Sequence, residues 1–141
     1  MEIAEAKKED LSYIKEKIDK YLLDATNMDW KQFFVVRLKG KVVAFGRIID
    51  RGECFEVASL GVDYYHRKKG IARKLVSYLI SRARKIDPQK PIYAVTHLPA
   101  FAQACGFTLV EGDYPRILDH KIKHHCRLDA SRIKVLRWKD S

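Results

Sequence analysis

Residues 56–76 read Glu56-Val-Ala-Ser-Leu-Gly-Val-Asp-Tyr-Tyr-His-Arg-Lys-Lys-Gly-Ile-Ala-Arg-Lys-Leu-Val76. An apolar run from Val57 to Val62 stops at Asp63. After a short turn, apolar residues recur at 71, 72, 75, 76, 79, 80, 83 and 86. The first pattern suits a buried strand; the second has the 3.6-residue period of a helix with one face on a core. The stretch therefore predicts strand, tight loop and helix, with the first helical turn emerging from Arg67-Lys68-Lys69-Gly70.

A helix start of this kind is an anion site. Its first N–H groups have no partner within the helix, and the positive end of the helix dipole points the same way. Gly70 lets the backbone approach a ligand without a Cβ in the way, and Ala72 is the next smallest choice. Arg67, Lys68, Lys69, Arg73 and Lys74 add positive charge, which makes phosphate the natural guest.

Working outward, residues 2–6 predict a short strand, and Leu11, Ile14, Ile18 and Leu22 repeat at helical spacing within 8–23. Residues 24–30 read as a short polar connection. Trp30, Phe33 and Phe34 are expected in the core, where large aromatics usually lie. Residues 31–38 and 41–49 form two strand-rich runs joined by Lys39-Gly40, which predicts an antiparallel hairpin. The long helix stops at Asp87-Pro88. Residues 91–96 read as a buried strand parallel to 54–62, joined to it through that helix as a right-handed crossover. A short helix at 99–104 and a strand at 106–110 follow. Residues 115–128 give no clear pattern, and 133–138 alternate like an edge or closing strand.

The 141 residues suffice for a single domain, 1–141, with a real core. A hydrophobic content of 47% with 33% charged residues fits a soluble globule. No apolar stretch approaches the roughly 20 residues of a membrane span. The first twenty residues are charged helix former, unlike a signal peptide. Cys54, Cys105 and Cys126 have no ligand-like spacing, so they are expected as reduced thiols of a cytoplasmic protein. The net charge of +10 would attract phosphates, an acidic substrate or nucleic acid. Because the charges spread along the chain without a nucleic-acid module, nucleic acid ranks below a phosphorylated small ligand.

Arg67-x-x-Gly70-x-Ala72 after an apolar strand resembles the acetyl-CoA motif, Gln/Arg-x-x-Gly-x-Gly/Ala, of the GNAT family of N-acetyltransferases. The order of elements resembles that family along nearly the whole chain. The resemblance implies an α/β (α+β) GNAT fold, with a mixed, mostly antiparallel sheet of six or seven strands and helices on both faces. Its central parallel strand pair would splay to admit acetyl-CoA. The backbone of Leu60, Gly61 and Val62 would then hold the pantetheine arm, and Arg67, Lys68, Lys69, Gly70, Ile71, Ala72 and Arg73 the pyrophosphate. Acetyl would pass to a primary amine by direct attack in a ternary complex.

By the same resemblance Glu56 matches the glutamate base of some family members. Beside apolar neighbours its pKa would rise; the bland alternative is a carboxylate exposed at a strand end. The N–H of Val62 would stabilise the oxyanion. Phe101 to Gly106-Phe107 is similar to the family's Phe-Tyr-x-x-x-Gly-Phe segment, yet the position of the tyrosine acid holds Ala102. His97, at the end of the second parallel strand, is the preferred substitute, with Tyr93 and Tyr114 behind it.

Tyr114-Pro115 and Arg132-Ile-Lys134-Val-Leu136 loosely resemble the close of the acetyltransferase domain of N-acetylglutamate synthases. That weaker likeness implies an amino-acid acceptor, its carboxylates anchored by Arg116, Lys121 and Arg132. His120, His124, His125 and Cys126 make a metal conceivable, since His120 and His124 would share a helix face, but solvated surface histidines are the default and no metal is expected. Two rivals stay open: acetylation of a protein or peptide amine, and a non-catalytic CoA-sensing or nucleic-acid-binding module. A homodimer is also left open.

Overall fold

A computed structural model describes residues 1–124, 127 and 129–140. Seven strands of the described residues form one sheet: β1 (Glu2–Glu5), β2 (Phe33–Leu38), β3 (Lys41–Asp50), β4 (Phe55–Val62), β5 (Ile92–Thr96), β6 (Phe107–Leu109) and β7 (Lys134–Trp138), in the order β1-β2-β3-β4-β5-β7-β6. Every neighbouring pair is antiparallel except β4 and β5. The predicted mixed sheet with one central parallel pair is therefore what forms.

Alternation along the strands divides the core between two faces. Phe34, Val36, Phe55, Val57, Ile92 and Ala94 pack with α2 (Ile71–Ile86) and α3 (Pro99–Cys105) on one face. On the other, Phe33, Val35 and Phe45 meet Ile14 and Ile18 of α1 (Leu11–Lys20), while Cys54, Tyr93 and Val135 meet Leu118 of α4 (Arg116–His124). Of the predicted stripe on α2, Ile71, Leu75, Val76, Leu79, Ile80 and Ala83 are buried. Ile86, in the last turn, is 68% exposed.

Four expectations change. The first helix is shorter than 8–23, because it begins after a 3₁₀ turn at Lys8–Asp10 and ends at Lys20, with Leu22 left-handed at φ +56°. Trp30 is half-buried outside the core clusters, beside Lys31, whereas Phe33 and Phe34 are buried. Within 115–128 lies α4, which the pattern did not announce. Finally, β7 is not an edge strand: it pairs with β5 on one side and β6 on the other. Its consecutive residues Val135 and Leu136 are both buried, one against each face, as an interior strand requires.

Candidate active site

The site begins where β4 and β5 stop pairing. Their register holds at Phe55 with Ile92, Glu56 with Tyr93 and Val57 with Ala94, and no further pair follows although both strands continue. The cause is a β-bulge. Phe45 faces Gly61 and Arg47 faces Ala58, so Ser59 and Leu60 together oppose the single Gly46. Ser59 takes φ +54°, and Leu60 Cδ1 lies 3.0 Å from where a Cβ on Gly46 would stand. The bulge re-aims the rest of β4 away from β5.

A cavity of about 190 Å³ occupies the resulting split. Val57, Ala58, Ser59 and Leu60 form one wall, and the segment from Ala94 to Leu98 the other. Val76, Phe101, Ala102, Cys105 and Phe107 line it from the α2–α3 face; Leu22, Leu23, Asp24, Lys121, Arg127 and Ile133 line it from the α1–α4 face. The cavity thus passes through the sheet. Its α2–α3 end is apolar. Burial pushes the Cys105 thiol up, partly opposed by Arg73, which keeps it a neutral thiol there.

At the end of β4, a 3₁₀ turn (Tyr64–His66) leads into the basic loop. Gly70 has φ +79°, a left-handed conformation that costs a residue with a Cβ about 1–2 kcal/mol. Lys74 N–H donates to the Gly70 carbonyl at 3.2 Å, and no side chain caps the amides ahead of it. Arg67 Nε donates to the Val62 carbonyl at 2.9 Å, and its guanidinium lies 4.9 Å from the Tyr21 ring centre, so this side chain braces the loop. Arg73 Nη2 donates to the Ala104 carbonyl at 3.0 Å, tying the start of α2 to the end of α3. Lys68, Lys69 and Gly70 are exposed. The arrangement is an open nest of amides ringed by cations, suited to a phosphorylated ligand.

The opposite face holds buried charge. Glu56 is fully buried, its Oε1 receiving Arg51 Nη2 at 2.8 Å and Nε at 3.1 Å, and its Oε2 receiving a short hydrogen bond from Lys121 Nζ. It neither sits among apolar neighbours nor lies exposed at a strand end, and it does not line the cavity. Lys121 also contacts Asp24 Oδ2 at 3.3 Å. Arg47, with no exposed surface, donates to Ser59 Oγ at 3.0 Å, Gln32 Oε1 at 3.0 Å and the Asp24 carbonyl at 3.1 Å. Ser59 Oγ in turn donates to that carbonyl at 2.8 Å. These bonds pin the 21–32 connection over the bulge. Burial alone would raise the Asp24 carboxyl, but the Lys121 charge, hydrogen bonds from Thr26 and Arg47 together hold it below the usual carboxylate range.

His97 and Lys121 line the cavity; Arg116 and Arg132 do not. Arg116 is exposed over a separate hollow with Arg51, Glu53 and Tyr114, and Arg132 ends an exposed 3₁₀ turn. Among the described residues, the cation that does reach the cavity besides Lys121 is Arg127, paired with Asp19 at 2.9 Å. Sequence reading missed Asp24, Arg47, Ser59 and Arg127. A serine inside an apolar strand, opposite an arginine inside another, was the available signal. His120 and His124 do share a face, with ring centres 4.5 Å apart, while His125 and Cys126 lie outside the described residues. Among the described residues no group of three or more His, Cys, Asp or Glu is placed to hold a metal, and no helix is long and apolar enough to cross a membrane.

Several solved structures share this fold. The chain is similar to N-acetylglutamate synthase from Neisseria gonorrhoeae, complexed with coenzyme A and N-acetyl-glutamate, at TM-score 0.78 and 16% identity over 97% of this chain; it spans 34% of that one. Rv2747 from Mycobacterium tuberculosis, in complex with CoA and NLQ, matches at TM-score 0.76 and 19% identity with 100% of both chains covered. Escherichia coli ElaA matches at TM-score 0.72 and 16% identity, over 99% of this chain and all of that one. No curated protein matches in sequence. The model of the acetyltransferase (GNAT) family matches residues 2–107, three quarters of the chain, and the chain belongs to that family.

Proposed function

We propose that the protein transfers acetyl from acetyl-CoA to the primary amine of a small molecule, an amino acid in the first instance, by direct attack in a ternary complex. The observation that supports this most is a cavity that crosses the sheet at the β4–β5 split, one wall of which is the strand that leads on into the open amide nest at Gly70. The nest would hold pyrophosphate, and β4 from Leu60 to Val62 would hold pantetheine. The thioester would then reach the split, where an amine could enter from the α1–α4 face. Such alignment supplies much of the rate in acyl transfer.

Glu56 acts in this reading from behind Lys121. Both its oxygens are engaged and it is outside the cavity, so deprotonation of the amine falls to ordered water. His97 lines the cavity and is the group proposed to protonate the leaving thiolate, since Ala102 has no proton to give. The amino-acid acceptor rests on likeness to structures crystallised with CoA and N-acetyl-glutamate or NLQ.

Calorimetric titration with acetyl-CoA tests the core of the reading. Saturable 1:1 binding is expected, weakened at least about 100-fold in Gly70→Glu, which places bulk and negative charge among the amides. Absence of binding to the wild-type protein would overturn it.

A further inference from the structure

We infer that the apolar side of the cavity is an acyl pocket, so that the protein transfers straight, uncharged chains longer than acetyl and not acetyl alone. The inference rests on the proposed acyl transfer and names the substrate class of that same site. From the α2–α3 face the cavity meets Val57, Leu60, Val76, Ala94, Phe101 and Ala102, all part of the core between the sheet and those helices. Cys105 adds a thiol that burial keeps neutral. Among the described residues no charged side chain of α2 or α3 lines this wall; Asp24, Lys121 and Arg127 line the cavity from the opposite face.

Protein interiors hold few voids larger than a water molecule, because every side chain that faces a void gives up its packing contacts. An apolar space inside this core is therefore suited to an apolar guest. The cavity measures about 190 Å³. An acetyl methyl, about the size of one water at roughly 30 Å³, leaves most of it empty.

The other reactants would not use the apolar part. Of the stretch proposed to hold pantetheine, Leu60 lines the cavity, whereas Gly61 and Val62 do not. The cavity thus begins where the arm would end, and the group carried past that point is the acyl chain. The amine would come from the charged face. Two small buried side chains keep the apolar part open, Ala94 on β5 and Ala102 on α3. The chemistry is the same for any such chain: the amine nitrogen bonds to the thioester carbonyl carbon, the C–S bond breaks, and CoA leaves as the thiol with the proton the amine gives up.

The test is a calorimetric series with CoA, acetyl-CoA, butyryl-CoA and succinyl-CoA on the wild-type protein. Butyryl-CoA is expected to bind roughly tenfold more tightly than acetyl-CoA, since each buried methylene is worth about fourfold. Succinyl-CoA, whose chain of the same length ends in a carboxylate, should bind no more tightly than acetyl-CoA, because that charge meets no partner on the apolar wall. Ala102→Leu, which fills the pocket, should bring the butyryl-to-acetyl ratio to near one, with retained CoA binding as the sign of an intact fold. Equal or weaker binding of butyryl-CoA by the wild type, succinyl-CoA matching butyryl-CoA, or an unaltered ratio in Ala102→Leu would overturn the acyl pocket and leave the CoA site standing. The wild-type series decides even if Ala102→Leu does not fold. Failure of CoA itself to bind the wild type would instead remove the proposed function beneath it.

Discussion

The basic loop at Gly70 and the buried charge cluster of the α1–α4 face are built from different materials. At the start of α2 the available groups are main-chain amides around Gly70, open to water and surrounded by exposed cations. On the α1–α4 face they are side chains, Asp24 and Lys121 at the cavity wall with Arg47 and Glu56 behind them, all buried and joined by hydrogen bonds and ion pairs. The first kind of site is made by local chain geometry and tolerates change in its side chains. The second exists only once distant segments meet, because Glu56 and Lys121 are 65 residues apart and Ser59 and Asp24 are 35 apart. A surface that recognises a constant cosubstrate can rely on backbone; one that selects a variable partner needs side chains.

The largest expected effect separates the two regions. Lys121→Met should cost about 3 kcal/mol of stability, because it leaves Asp24 and part of Glu56 as uncompensated buried charge. Acetyl-CoA affinity should stay within about twofold of wild type. Chemical denaturation and calorimetry on the same variant check both halves; equal damage to each would mean the two regions are one cooperative unit.

A smaller effect distinguishes exposed from buried charge. Raising salt from about 50 to about 500 mM should weaken acetyl-CoA binding by roughly tenfold, since the Debye length shrinks to near contact distance and Lys68, Lys69 and Arg73 are exposed. The stability gap between wild type and Lys121→Met should barely move. A gap that closes with salt would show that water reaches the cluster.

The smallest is a pH effect on Asp24. Its carboxyl is held below the usual range by Lys121, the Thr26 hydrogen bonds and Arg47, against the opposing pull of burial. A depressed carboxylate stabilises the fold at any pH above its unfolded value of about 3.9, and loses that contribution as pH falls through the folded one. The excess stability of wild type over Asp24→Asn should hold from pH 7 to about 5, then diminish below about 4. Thermal melts across that range test the sign. A gap that widened on acidification would contradict the assignment of the charge.

How much of this was readable in the chain follows the same division. The strand, loop and helix of 55–86 declare themselves through period and through Gly70, since local geometry suffices there. The Lys39-Gly40 hairpin was equally plain; both residues take positive φ. Helix α4 was hidden because one of its two buried residues is Lys121, which breaks the apolar stripe with the very group that gives the helix its role. Arg116 and Arg132 were attractive as anchors by composition, but exposure and position are set by tertiary packing, which spacing does not encode. The bulge gave no sign either. Ser59 is neither glycine nor asparagine, and its left-handed turn is held by hydrogen bonds to Arg47 and Asp24, long-range partners no local rule reports.

The interleaving of β7 between β5 and β6 has a consequence for how the molecule is made. Of all the strands, β7 emerges last from the ribosome, yet it is the one that β5 and β6 must both pair with. Until Lys134–Trp138 are available, β5 presents an unpaired edge, and β6 has no neighbour at all. Synthesis therefore passes through a stage in which β1 to β5 can assemble while the second wall of the split remains a sticky margin. Formation of the cavity is a late event in the life of the chain, and sequestering that margin is the part of folding most exposed to competition from aggregation.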